Sequence, residues 1–381
     1  MASAVLAASL GVYKPITPII TEVGSSQECQ IFLEPGQAIA IVGYGYITVK
    51  SGDVECFGAR INASHGKITF FSPECYSLMV FSAPIASSCL ISLCEGNIKW
   101  RQLTSFLDLK DIWGDGGFLS TLKSKCSEIY SIFEGLHAIS LSEESINTGF
   151  SYLSPMPLWK DLSGYLGSLN PLSVVVFGSK GSGKSTFLKY LINSSLSQHQ
   201  VNACSTPRAS GVLLMNLDCG QAELGPPATV SLFHIDKFIL GPSFATQCSH
   251  IHQEYVGVIS IAENPKGYLH AVERLCNFLH KKAPKGLPVF VNTMGWTTGL
   301  GLELFKCTIN LVRPSTIIPL MESVTSAEDL SSSTLVKEAV QKLSSTLCEP
   351  PRFRTNFSIS SVPILPTILP TSAISIAAGR Y

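Results

Sequence analysis

The chain is poor in charge. Only 14% of its 381 residues are Asp, Glu, Lys or Arg, and 27 basic side chains are matched by 27 acidic ones. A whole-molecule field that would gather nucleic acid or an anionic membrane is therefore excluded, and any polyanion site has to be local. No stretch of about 20 apolar residues runs without a breaker. The nearest, the tail from Phe357, is cut by Pro363, Pro366 and Pro370, so no membrane span is expected. The first residues lack a charged segment followed by a long apolar core and a cleavage site, and no secretory leader is expected. The 12 cysteines form no C-x-x-C pair and no Cys/His cluster at zinc spacing. That pattern points to free, mostly buried thiols in a reducing compartment and to no structural metal. Low charge with 45% hydrophobic residues argues against extensive disorder, and the length allows two or three domains.

Between Cys29 and Leu93 short β-rich runs alternate with Gly and Pro. Ile31 to Leu33, Ala38 to Val42 and Tyr46 to Val49 read as strands separated by Pro35-Gly36, Gly43 and Ser51-Gly52. This is an all-β signature with no polar cluster that suggests chemistry. A helix is expected over Ser120 to Leu136. The β-rich domain gives way to the next one somewhere between 140 and 168.

The run Gly178-Ser179-Lys180-Gly181-Ser182-Gly183-Lys184-Ser185 fits G-x-x-x-x-G-K-[ST], and it follows an apolar run, Leu172 to Phe177, that reads as a buried strand. This is a phosphate-binding loop in its proper context. Its glycines let successive N–H groups point inward at a phosphate, and a helix beginning near Lys184 adds the positive end of its dipole. Residues 178–186, with Thr186 in the first helical turn, are the candidate nucleotide contacts. Lys184 is placed to reach the β- and γ-phosphates, and the Ser185 hydroxyl to sit on Mg2+.

Strands and helices then alternate: strand Val212 to Leu217, helix Gly267 to Lys281, strand Pro288 to Asn292, helix Gly301 to Leu311, strand Thr316 to Leu320. The expected fold class is α/β, a P-loop NTPase parallel sheet with helices on both faces, preceded by a β-rich N-terminal domain. On the first of these helices Leu269, Val272, Leu275, Cys276 and Leu279 recur at core spacing. Ligands on such a sheet bind beyond the carboxyl ends of the strands, so Gly178, Asp218 and Asn292 should converge there. Asp218 ends an apolar strand, which positions it to hold magnesium, directly or through water, or to accept a proton from an attacking hydroxyl. It also suits a plain strand-end cap. Gly220 permits a tight turn, and Gln221 can hydrogen-bond substrate or a magnesium water. From Ser323 to Thr346 the chain is Ser/Thr-rich with a helical patch around Val336 to Leu343, and from Cys348 it is proline-rich. The expected organisation is a β-rich domain over 1–150, a P-loop domain over 165–325 and a Ser/Pro-rich tail over 326–381.

Three segments in order behind the loop, Leu217 to Leu232 (LDCGQAELGPPATVSL), Tyr255 to Leu275 and Val289 to Phe305 (VFVNTMGWTTGLGLELF), resemble the polynucleotide 5′-hydroxyl kinase family of RNA processing. The similarity is greatest to its nucleolar, ribosomal-RNA branch and extends to the kinases of tRNA splicing and mRNA 3′-end formation. It covers roughly Val174 to Leu320. It implies transfer of the γ-phosphate of ATP, with magnesium, to the 5′-hydroxyl of RNA or DNA ends, an endoribonuclease as partner and a nucleolar location. Lys184 and Ser185 are implied to hold triphosphate and metal, and Asp218 to lie near the 5′-hydroxyl. Trp296 matches the position at which the family stacks an aromatic ring on a terminal base. An indole in a strand-end loop suits that role; a core tryptophan is the competing reading. The family also places a lid with arginines after the last kinase strand, followed by a C-terminal domain. Neither is recognisable here, because Arg352 and Arg354 lie beyond a serine-rich stretch. The alternative function is therefore an ATP-binding scaffold of an RNA-processing complex, with weak or no turnover.

Overall fold

The longest strand is the spine of the N-terminal half. The computed structural model describes residues 16–96, 129–141, 152–169, 172–201 and 211–320, apart from a few single positions within these ranges. The expected helical patch at 336–343, Arg352 and Arg354 fall outside the described residues. The chain divides into two units. One is Met1–Asp161 together with Phe238–Thr246, and the other is Leu162–Lys237 with Gln247–Tyr381. Among the described residues no helix is long and apolar enough to cross a membrane.

The first unit is built from β1 (Ile19–Val23), β2 (Ser26–Leu33), β3 (Ala38–Ser51), β4 (Asp53–Cys56), β5 (Ala59–Asn62), β6 (Lys67–Ser72), β7 (Leu78–Ser82), β8 (Cys89–Glu95), β9 (Ile129–Phe133), β10 (Leu136–Ser140) and the short β11 (Tyr152–Leu153). Residues 38–42 and 46–49 are one strand and not two. β3 continues through Gly43, whose φ of 121° no branched residue tolerates and whose missing Cβ would lie 2.0 Å from the Gly135 carbonyl oxygen. The glycine read as a break is thus a bend that lets one strand serve two partner sets. Its first part pairs with β7 and β10, and its second with β6 and β8. A second difference concerns the helix expected over Ser120 to Leu136. Ile129-Tyr130-Ser131-Ile132-Phe133 is strand β9, paired with β10, because its β-branched and aromatic residues suit a pleated surface; residues 120–128 lie outside the described set. Both faces of the first part of β3 are buried, with Ala38, Ala40, Val42, Leu78, Val80 and Ile139 forming a core on one of them. The segment Phe238–Thr246 belongs here, and the Phe71 N–H donates to the Leu240 carbonyl at 2.8 Å.

The second unit begins within α1 (Pro157–Gly167) and continues with β12 (Ser173–Gly178), α2 (Lys184–Val201), β13 (Val212–Asn216), β14 (Thr229–Ile235), β15 (His250–Tyr255), α3 (Pro265–Lys281), β16 (Val289–Asn292), α4 (Gly299–Val312) and β17 (Thr316–Leu320). The six strands lie in the order β15-β14-β13-β16-β12-β17. β13, β16, β12 and β17 are parallel, as the alternation of strands and helices indicates. β14 and β15 extend the sheet antiparallel, so the α/β sheet is mixed and larger than expected. The chain leaves β13 by the loop 217–228 and returns directly as β14, without a crossover helix, and an antiparallel neighbour needs none.

Helices cover both faces. Val175, Phe177, Met215 and Val291 pack with Tyr268, Leu275, Phe305 and Ile309 of α3 and α4. The Phe177 and Phe305 rings stack at 4.1 Å, and truncating Phe305 to Ala should cost about 3–5 kcal/mol. Alternate residues of the strands face α2, whose Phe187, Leu188, Leu191 and Ile192 are buried. α3 starts where Asn264 accepts the Gly267 N–H at 3.0 Å and Pro265 opens the first turn.

Candidate functional site

β12 carries the chain to the carboxyl edge of the sheet, and Gly178 to Lys184 turn it into α2. Gly181 and Gly183 have φ of 81° and 83°, which keeps the loop's N–H groups on its inner side. A Cβ built on Gly181 would meet no atom within 4 Å, so glycine serves there for its positive φ and not for want of space. At Gly178 the opposite holds. A Cβ there would lie 2.6 Å from both the Leu320 carbonyl and the Ser182 Oγ, and glycine is required for closeness.

Lys184 is 8% exposed. Its Nζ donates to the carbonyls of Gly178 at 2.9 Å and Ser179 at 2.7 Å. Burial lowers its pKa to about 8, against a smaller opposing pull from Asp218. The buried Ser182 Oγ has no hydrogen-bond partner. An ammonium resting on the loop's own carbonyls and an unsatisfied hydroxyl beneath the loop fit a site built to receive a phosphate. Ser185 and Thr186 follow in the first turn of α2, both half-buried.

Asp218 lies two residues past β13. Its Oδ1 accepts the Gly220 N–H at 3.0 Å and the Gln221 N–H at 2.9 Å. Burial nevertheless raises its pKa, outweighing these two bonds and the charges of Lys184 and Lys180. The strand-end cap and the site carboxylate are thus one side chain, with its second oxygen outside those two bonds. The Gln221 side chain is exposed. The neighbouring Cys219 is fully buried, and its thiol is pushed up to about 12, which removes it as a nucleophile.

The loop after β16 completes the edge. The Thr293 Oγ1 donates to the Val176 carbonyl at 2.7 Å in the interior. A Cβ on Gly295 would fall 2.7 Å from the Lys180 nitrogen and Cα, so this loop lies directly against the phosphate loop. Trp296 is half-buried and packs on the core beneath α4. A Cβ on Gly301 would come 2.3 Å from its Cγ, so the indole is seated on the first turn of α4. Asn292 is buried at 2% exposure, and its Nδ2 donates to the Asn216 Oδ1 at 2.9 Å.

The structure therefore gathers residues 178–186, Asp218, Gln221 and Asn292 along one sheet edge, with Trp296 following β16. Sequence reasoning missed Asn216, Thr293 and Gly295. The glycine between Met294 and Trp296 at the end of a strand was the available signal, since an isolated glycine in such a pattern often marks close backbone approach.

A phosphate loop at a strand-to-helix junction on a sheet with helices on both faces defines a P-loop nucleotide-binding protein. Residues 178–347 match the family described as the mRNA cleavage and polyadenylation factor CLP1 P-loop. The chain is related in sequence to the polynucleotide 5′-hydroxyl kinases. It is 28% identical over 310 residues to the polynucleotide 5′-hydroxyl-kinase grc3 of Aspergillus oryzae, a match over 75% of this chain and 36% of that protein. It is 33% identical over 152 residues to the polynucleotide 5′-hydroxyl-kinase NOL9 of Drosophila melanogaster, covering 40% and 14% of the two chains. The chain thus spans little more than a third of the length of its Aspergillus relatives. Among solved structures it is similar to the wild-type Clp1p–Pcf11p (454–563) complex, with a TM-score of 0.47 and 16% identity over 84% of this chain and 65% of the other.

Proposed function

We propose that this chain is a polynucleotide 5′-hydroxyl kinase, transferring the γ-phosphate of ATP to 5′-OH ends of RNA, with DNA ends as a second substrate class. The observation that carries the reading is the pairing of a phosphate loop, its ammonium held ready, with a half-buried carboxylate of raised pKa at the end of β13, two strands along the same sheet edge. The loop N–H groups and Lys184 bind and orient the triphosphate. The 5′-oxygen then bonds to the γ-phosphorus while the bond to the β–γ bridging oxygen breaks. ADP departs, and the hydroxyl proton passes to the free oxygen of Asp218. A carboxylate with raised pKa is the better acceptor near neutral pH. Ser185 and Asp218 would hold Mg2+, which when bound offsets charge developing on the phosphates; Asp218 then acts as ligand, as base, or as both. Gln221 and Trp296 are assigned to the acceptor nucleotide. The family resemblance and the names grc3 and NOL9 support a setting in ribosomal RNA processing, in the nucleus and its nucleolus, with an endoribonuclease partner.

One observation favours the scaffold alternative. Of the three arginines among the described residues, Arg60 pairs with Asp53, Arg274 pairs with Glu254, and Arg313 is an exposed residue at the carboxyl end of α4. Without a charge-neutralising arginine, related phosphoryl transfers lose about 10³–10⁵ in rate. The test is incubation with γ-labelled ATP, magnesium and a 5′-OH oligonucleotide, beside Lys184→Ala. Label transfer that Lys184→Ala abolishes is the expected result. ATP binding with no transfer by either protein would leave the scaffold, and equal labelling by both would overturn the assignment of the site.

A further inference from the structure

Lys189, in the second turn of α2, and Glu223, in the loop from β13 to β14, form an ion pair away from water. The Nζ lies 2.5 Å from the Oε1, and the two side chains are only 7% and 14% exposed. Each belongs to a different half of the site. Lys189 is five positions beyond Lys184 on the helix that the phosphate loop opens, and Glu223 is five positions beyond Asp218. One buried pair therefore ties the nucleotide-binding helix to the loop that carries Asp218 and Gln221. Stability alone does not call for it. Taking two charges out of water costs about what their attraction returns, and apolar residues of similar volume often leave a fold as stable or more so. What an ion pair adds to an apolar contact is a defined length and direction.

Both ends of that loop are fixed by backbone hydrogen bonds. At its entry the Leu217 N–H donates to the Asn292 carbonyl of β16 at 2.9 Å. At its exit Ala228 has a φ of 61°, a left-handed conformation that a residue with a side chain keeps only where its surroundings impose it. Here they do. The Ala228 N–H donates to the Cys219 carbonyl at 2.9 Å, and its own carbonyl accepts the N–H groups of Val256 and Gly257 at 2.9 and 3.2 Å. Between these anchored ends stand the Asp218–Gln221 turn and, two residues further, Glu223. A displacement of α2 thus reaches the middle of the loop through the Lys189–Glu223 pair.

We propose that Lys189 and Glu223 are positioning residues, which set the distance between the phosphate loop and the Asp218–Gln221 turn and pass the seating of a nucleotide on α2 to the acceptor side of the site. Neither touches nucleotide or acceptor in this role. They act through the helix that holds Lys184 and the loop that holds Asp218. The effect on turnover rests on the kinase reading above. A misplacement of about 1 Å between reacting groups can cost about 10²-fold in rate, whereas ATP affinity is set by the loop N–H groups and Lys184 and does not depend on the tie. The tie itself requires only the phosphate loop, so it can be observed without turnover.

The test compares wild type, the double variant Lys189→Met with Glu223→Leu, and Lys189→Arg, all in the full chain. Thermal melts, affinity for a non-hydrolysable ATP analogue and labelled-phosphate transfer to a 5′-OH oligonucleotide are measured for each. Amide hydrogen exchange over 219–225 is followed with and without the analogue, in EDTA so that no metal joins Asp218 to the phosphates. In wild type the analogue should slow this exchange. The double variant should keep its melting and analogue affinity, lose the slowing, and transfer phosphate with kcat lowered about 100-fold at unchanged KM for ATP. Lys189→Arg retains the pair and should retain both transfer and slowing. If the slowing is present in wild type and absent in the double variant while no protein transfers phosphate, the tie stands and the kinase reading fails. If wild type transfers phosphate and the double variant does so equally well, the positioning role is overturned alone. Exchange that the analogue leaves unchanged in wild type overturns it whatever the variants do, and so does loss of analogue affinity in step with transfer. Should the double variant not fold, Glu223→Asp takes its place, because it keeps both charges and draws the carboxylate back by one methylene; wild-type transfer by that variant overturns the proposal, and lowered kcat with unchanged analogue affinity supports it.

Discussion

Gly295 and Lys180 belong to different loops, yet they approach so closely that one methyl group on Gly295 would stand 2.7 Å from the Lys180 backbone. The loop after β16 is therefore a brace for the outer turn of the phosphate loop. Gly295→Ala must displace one of the two. Overpacking of this kind costs about 1–3 kcal/mol, and nucleotide affinity should fall correspondingly, about 5- to 150-fold. Titration with an ATP analogue checks this, and unaltered affinity would show that the brace can yield freely.

Lys184 makes nucleotide binding pH-dependent with a defined sign. Its pKa is lowered from 10.5 to about 8 in the folded protein, so between these values the unfolded chain binds more protons and the ligand-free protein gains stability as pH rises. A bound phosphate favours the ammonium. Above pH 8, binding should take up a proton and weaken as pH increases. Calorimetry near pH 9 in two buffers of different ionisation enthalpy should report uptake of about one proton per nucleotide, absent in Lys184→Met.

Asp218→Asn preserves the Oδ1 that accepts the Gly220 and Gln221 N–H groups while removing charge and basicity. The turn should survive, and melting should change little. Phosphate transfer should fall about 10²–10⁴-fold with the ATP analogue still bound. Undiminished transfer would reduce Asp218 to a turn former.

Trp296→Ala separates the two readings of the indole. Loss of about 1–3 kcal/mol of oligonucleotide affinity with unchanged melting is the signature of base stacking. Loss of about 3–5 kcal/mol of stability, with both ligands affected, is that of a core residue. The half-buried seat on Gly301 makes some fall in melting temperature expected alongside weaker oligonucleotide binding. Paired melts and titrations give the proportion.

The phosphate loop, the strand before it and the helix after it were legible because their signals are local: glycine spacing, an apolar run and helical periodicity. The helix over Gly267 to Lys281 was legible for the same reason, and Leu275 and Cys276 are buried in it. β14 and β15 escaped notice because nothing within Thr229 to Tyr255 announces an antiparallel return. The Asn292–Asn216 hydrogen bond escaped because the two residues are 76 positions apart in the chain and meet only through strand register. Gly43 was misread because a glycine that ends a strand and one that bends it look alike in sequence.

The assignment of Phe238–Thr246 to the first unit changes what a cut in this chain can yield. A break after Asp161 separates the β-rich sequence from residues it needs. Leu240 accepts the Phe71 N–H, Phe238 lies against His65 at 5.4 Å, and a Cβ on Gly241 would fall 3.1 Å from the Phe71 carbonyl. A fragment ending at 161 thus leaves the Phe71 amide without its Leu240 partner and the His65 ring without Phe238. Because the first unit takes up Phe238–Thr246 from within the span of the second, no single cut yields both units whole.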